Sequence, residues 1–324
     1  AMRTLGWPVP DRIDTALPPI VRSEGNREVV LYVSPTTKQY LESVGGNYEV
    51  LLAPWRKHLA AHRWQVTEAS TPDALAGLDK QILVVPSAVA LSAAEREAME
   101  AFKAGGGSVL LTWASGTRDD AKQWAGWEWL ERMGQARVMG EVAKAEDAPG
   151  FLVLNGESPI NRSQGAGMRV WLGANHEPLL RLAAVNDAQL GGRFMDWART
   201  PAPADVANGA IVYGEHGNGS RSVVLGFSES TWEFQPHRIA PVIEDAMAFL
   251  ARRSDAVLAA WPNGRRAAQI VEMDTEDQFR NALRLSTLMA NIGYRGTFYV
   301  LTELVADYPD VVQTLAQSHE VAFH

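Results

Sequence analysis

The 324-residue chain contains no cysteine. That absence excludes thiolate nucleophiles, disulfide staples, cysteine-based zinc knuckles and iron–sulfur ligation together. No run approaches the roughly 18–20 consecutive apolar residues that span a bilayer. The first residues lack the basic-then-apolar pattern of a secretory signal, and Ala1-Met2 reads as a tag remnant before an internal start. No Lys/Arg-rich stretch occurs, and 30 Lys+Arg against 38 Asp+Glu leave a net charge of −8. The electrostatic footprint of a nucleic-acid binder is therefore missing. What is present is ordinary globular material, 46% hydrophobic and 21% charged, in a chain long enough for about two domains.

Residues 1–26 carry Pro8, Pro10, Pro18 and Pro19 without an apolar period and read as an extended lead-in. Regular pattern begins at 27. Short β-branched runs at 28–34 (EVVLYVS), 81–86 (QILVVP) and 108–112 (SVLLT) alternate with helical periods at 51–64 and 93–103. Ser92 and Glu95 form a capping box for the second of these helices, and Gly105-Gly106-Gly107 stops it. Apolar strands alternating with helices predict a parallel sheet covered on both faces. A helix is predicted over 121–134. Residues from about 135 to 205 read as an insertion of mixed short strands. Asn218-Gly219 predicts a hairpin, and 239–253 an amphipathic closing helix.

After a linker at 254–267, the segment 268–324 reads as βαβαβ: strand 268–273, helix 277–291, strand 296–301, helix 308–317, strand 319–323. Units of this kind open either a second sheet or a (β/α) barrel, in which the carboxyl ends of the strands hold the chemistry. Asp274, Glu276, Asp277 and His324 fall at such ends. Three carboxylates within four residues repel one another unless a proton or cation intervenes, and a mixed carboxylate/imidazole set suits zinc or another first-row ion. The plainer reading is that Glu276 and Asp277 decorate the first turn of a helix, where the dipole favours acids.

Three motifs in order, MDTED (273–277), GTFYVL (296–301) and SHEVAFH (318–324), make this segment resemble the start of a polysaccharide deacetylase domain of the nodulation-factor deacetylase-like group, carbohydrate esterase family four. The resemblance implies a (β/α) deacetylase barrel. It implies Asp274 as general base, Asp277 as acidic metal ligand and His324 as first metal-binding histidine, with Glu276 as the alternative ligand because Thr275 and Glu276 separate the two aspartates. His319 falls at a position that is not a ligand. The function implied is zinc-dependent N-deacetylation of an N-acetylated polysaccharide outside the cytoplasm. The chain stops at His324, before the second metal histidine of the motif, so the segment is expected to be an incomplete barrel.

The stretch 27–253, with LSAAEREAMEAFKAGGGSVLLTWASG (91–116) and SVVLGFSESTWEF (222–234), is similar to the glutamine-amidotransferase-like, flavodoxin-type α/β fold. The turn that would hold that family's cysteine carries Thr112-Trp113-Ala114-Ser115, so amidotransferase chemistry is excluded. An accessory domain is expected instead. Trp124, Trp127 and Trp129 are candidates for stacking a sugar, against the plainer reading of core packing. His58 and His62, four apart on one helix, are candidates for a shared metal, but without an intervening Glu the expected reading is a solvated face. Ser115, Ser228 and Ser230 lack the context of a nucleophile. The alternative to a deacetylase is a non-catalytic glycan-binding or cell-envelope assembly protein.

Overall fold

The computed structural model describes residues 20–21, 27–78, 81–142, 150–156, 158–173, 178–195, 207–253, 256–257 and 270–324. The chain divides into two compact units, Ala1–Arg266 and Ala267–His324. Within the first, β1 (Ile20–Val21) pairs antiparallel with β13 (Ala256–Val257). The rest of the expected lead-in and linker lies outside the described residues.

The first unit is built on β2 (Glu28–Tyr32), β3 (Gln65–Ala69), β4 (Ile82–Val85), β5 (Ser108–Thr112) and β12 (Arg221–Leu225), neighbours in the order β3-β2-β4-β5-β12 and all parallel. Side chains alternate across this sheet with period two. Val29, Leu31, Ile82, Val84, Leu110, Val223 and Leu225 enter one core, whereas Val30, Tyr32, Leu83, Val85, Val109, Leu111 and Val224 enter the other. Burial on both faces is why these strands read as unbroken apolar runs. Helices α2 (Glu49–Ala61) and α5 (Pro236–Leu250) close the first core with Trp55, Leu59, Val242 and Met247. Helices α3 (Ala93–Ala104) and α4 (Glu128–Gly134) close the second with Met99, Phe102, Leu130 and Met133. The capping box of α3 forms in both directions, Glu95 N–H to Ser92 Oγ at 3.2 Å and Ser92 N–H to Glu95 Oε2 at 2.7 Å.

Beyond β12 the sheet turns antiparallel. The insertion supplies β6 (Ala136–Glu141), β7 (Phe151–Leu154), β8 (Arg169–Trp171), β9 (Leu180–Ala184) and β10 (Gln189–Met195), which extend the sheet through β11 (Gly209–Glu215). The fold is thus a mixed α/β sheet with a parallel half. The helix expected over 121–134 starts only at Glu128, because Lys122 and Gly126 adopt left-handed backbone (φ +64° and +84°) that no α-helix accommodates. Elements without a sequence signal include α1 (Pro35–Ser43), whose N-cap Ser34 accepts from Thr37 N–H, and the polar edge strand β3.

The second unit has β14 (Glu272–Thr275), α6 (Ala282–Asn291), β15 (Thr297–Val300), α7 (Thr302–Asp307), α8 (Pro309–Ala316) and β16 (Glu320–Phe323). Its strands form a parallel sheet in the order β14-β15-β16. Phe298, Val300 and Val321 are buried, as are Met289, Val311 and Leu315 from the helices. Among the described residues this is a three-stranded parallel sheet, the βαβαβ order expected of the segment.

Candidate functional site

In the second unit the register places Asp274 beside Tyr299 and Tyr299 beside Ala322. Residues two apart share a face of a strand, so the row after this one, at the carboxyl edge, aligns Glu276 with His324. His324 Nε2 lies 3.7 Å from Asp274 Oδ1 and 3.7 Å from Glu276 Oε1. The two carboxylate oxygens are therefore no further apart than twice that distance. Both carboxylates are open to solvent, at 68% and 63% side-chain exposure. Thr275, on the opposite face, is buried and donates to Tyr299 O at 2.6 Å. Of the predicted residues, the structure brings together Asp274, Glu276 and His324; Asp277 follows in the exposed turn and is not part of the His324 contact. His319 is structural: it is buried, its Nδ1 accepts from Gly296 N–H, and its ring packs on Phe298.

In the first unit the carboxyl edge of the parallel strands is dry. Glu229, just after β12, is fully buried and accepts from Trp55 Nε1 (2.7 Å), Thr112 Oγ1 (2.6 Å) and Ser87 Oγ (2.6 Å). Burial pushes its carboxyl up from the ordinary range, and the three donors oppose that shift. Ser87 and Trp113, at the ends of β4 and β5, both have positive φ (+35° and +48°), a costly conformation held by the surrounding packing. Trp113 occupies the turn that the sequence compared with a nucleophile site, and its indole N–H is tied to Pro178 O at 2.7 Å. Ser115 is buried, donating to Thr112 O and accepting from Ala88 N–H, so it serves the turn. These hydrogen bonds tie the ends of β4, β5 and β12 to α2.

The three tryptophans separate by exposure. Trp124 is 55% exposed and meets half-buried Trp127 edge-on, with ring centroids 5.1 Å apart, whereas Trp129 is buried in the core. A sugar face, if formed, belongs to the first two.

His58 does not lie on a solvated face. Its ring is buried, packed beside Trp55 and Trp232 and stacked on His62 at 4.4 Å, and it faces Glu244 of α5. The i, i+4 spacing was visible in the sequence. Glu244, from a helix far along the chain, was not. Among the described residues, His58, His62 and Glu244 are the one group of three or more His, Asp or Glu whose ligand atoms lie within 4.8 Å of one another. The strand-tip residues of the second unit are not part of such a group.

No protein-family model and no curated protein matches the chain. Solved structures do. A β-galactosidase from Rahnella sp. R3 aligns over 75% of this chain and 34% of its own, at 14% identity and TM-score 0.53. A ThuA-like protein from Bacteroides uniformis aligns over 70% of this chain and 93% of its own (12%, 0.47), and an α-L-fucosidase from Paenibacillus thiaminolyticus over 70% and 33% (13%, 0.44). The chain spans about a third of the length of the β-galactosidases from Bacillus circulans and Rahnella that it matches. At these identities the likeness concerns the fold alone, a mixed α/β architecture.

The likeness to the Rahnella β-galactosidase overturns the polysaccharide deacetylase reading and the metal-dependent N-deacetylation drawn from it. The physical reason is that the three motifs are short and generic. A strand-tip acid, a β-branched second strand and a histidine at the tip of a third satisfy the ordinary demands of any parallel βαβαβ unit, and such a pattern does not carry one chemistry with it. Among the described residues no helix is long and apolar enough to cross a membrane.

Proposed function

We propose that the chain belongs to a carbohydrate-acting hydrolase that cleaves glycosidic bonds, with Asp274 and Glu276 as its acid–base pair and His324 as the group that holds them. The observation carrying this reading is the placement of His324 Nε2 at 3.7 Å from both carboxylates. Glycoside hydrolysis needs two carboxyl groups in different protonation states, separated by roughly 5–9.5 Å depending on whether water attacks directly. Two contacts to one imidazole nitrogen hold the nearest oxygens of Asp274 and Glu276 within twice 3.7 Å of each other, which is inside the upper limit of that range. One carboxylic acid protonates the leaving oxygen; the other carboxylate deprotonates water or attacks the sugar. His324 Nε2 stands equally near both carboxylates and holds them on one side of the strand edge.

The fold likeness to a β-galactosidase supports the substrate class by analogy only. The first unit, whose buried edge is fully satisfied, acts in this reading by positioning, with Trp124 and Trp127 as the side chains that stack a sugar ring. The test is turnover of a panel of aryl glycosides and oligosaccharides by Asp274→Asn, Glu276→Gln and His324→Ala. Each carboxylate variant is expected to lose about 100-fold or more in kcat, the usual size of a general acid–base contribution. Turnover unchanged in both carboxylate variants overturns the assignment.

A further inference from the structure

We propose that His58, His62 and Glu244 form a binding site for a divalent first-row metal ion, zinc first among them, within the first unit. The site is independent of the hydrolytic residues of the second unit. His58 Nε2 and His62 Nδ1 each lie 3.6 Å from the same carboxylate oxygen, Glu244 Oε2. In a tetrahedral site with bonds of about 2.0–2.1 Å, the distance between ligand atoms is about 3.3 Å. The three atoms are thus already close to ligating distance from a common centre, and small side-chain adjustments bring them in.

The second observation is the state of His58. Its side chain is 5% exposed, and its Nε2 has no hydrogen-bond partner although it faces the cluster. A buried imidazole nitrogen left without a partner has given up its hydrogen bond to water, and a metal ion can use its lone pair. The walls are built accordingly. Trp55 and Trp232 flank His58 with their ring edges and keep that side dry. Glu244 is itself held in place: Trp64 Nε1 donates to Oε2 at 2.9 Å, and Arg253 lies 3.3 Å from Oε1. Such outer contacts orient a ligating carboxylate. The positive charge of Arg253 opposes a dication, but it sits on the oxygen that does not face the imidazoles, and the carboxylate lies between. His62 is 31% exposed, so on that side the cluster reaches toward solvent. Two imidazoles and one carboxylate are a borderline-soft set that prefers zinc, copper or nickel to magnesium or calcium.

The alternative is an imidazolium–carboxylate pair with no metal, and the two are separable. The full chain, stripped with a chelator and dialysed, is titrated with zinc chloride by calorimetry, with cobalt(II) absorption as the second readout. The expected result is one zinc per chain, a zinc-dependent rise in Tm, and a visible cobalt band of tetrahedral intensity. His62→Ala, at a half-exposed position whose truncation leaves the core intact, is expected to weaken binding at least tenfold and abolish the band; Glu244→Gln is expected to do the same where it folds. His237→Ala, on an exposed residue elsewhere, leaves both unchanged. A folded wild-type chain that binds no zinc, or a His62→Ala variant that binds as wild type does, overturns the proposal.

Discussion

Glu229 shows how one residue links three strands and a helix. Its two oxygens take hydrogen bonds from the ends of β4 and β5 and from Trp55 of α2, all without solvent. Burial raises its carboxyl above the ordinary 4.5, so in the folded chain it keeps its proton to a higher pH than in the unfolded chain. Between those two values the folded state binds more protons, and the stability this group contributes falls as pH rises from about 4.5. Glu229→Gln removes the titration while leaving a polar side chain for the donors. Urea unfolding at pH 4.5 and at pH 7 is therefore expected to show wild type losing stability relative to Glu229→Gln at the higher pH. A relative gain for wild type at pH 7 would mean that the three donors outweigh desolvation.

At the scale of elements, Gly226 marks where the parallel and antiparallel halves of the sheet meet. Its N–H donates to Ala210 O and its carbonyl accepts from Leu180 N–H. A Cβ there would stand 2.2 Å from Leu180 O, a backbone atom that cannot yield. Gly226→Ala is expected to destabilise the chain by about 1–3 kcal/mol, as overpacking does, whereas Ser92→Ala, which only removes a cap, is expected to cost about 1 kcal/mol. Chemical denaturation of both variants checks the order, and equal costs would contradict it.

The elements legible in the sequence are those whose signal is local. The buried strands β2, β4 and β5 announce themselves by unbroken β-branched runs, and α3 by its capping box. Edge strand β3 (QVTEA), with four of five residues exposed, has no such run, and the helix over 121–134 fails because left-handed residues at 122 and 126 carry no apolar mark. The candidate sites follow the same division. Asp274 and His324 are visible at strand tips, and Glu276 rather than Asp277 joins them because alternate residues share a face of the strand. Glu244 is invisible beside His58 in the sequence because only the packing of α5 on α2 places it there.

The whole molecule divides its labour between two units. In the first, the described buried residues of the two cores that flank the large sheet run from Val29 to Leu250, and Glu229 with its donors ties together the carboxyl ends of β4 and β5. In the second, a small parallel sheet leaves two carboxylates and an imidazole in solvent at its carboxyl edge, the end of such sheets where chemistry is placed. The central claim is that these two carboxylates work as an unlike pair on a glycosidic bond. The pH dependence of reducing-end release from an oligosaccharide, compared between wild type and Glu276→Gln, tests it most directly. The account predicts a two-limbed profile for wild type, because one group must be protonated and the other ionised, and the loss of one limb together with most of the rate in the variant. No release by wild type at any pH, or a profile unaltered by the substitution, would contradict it.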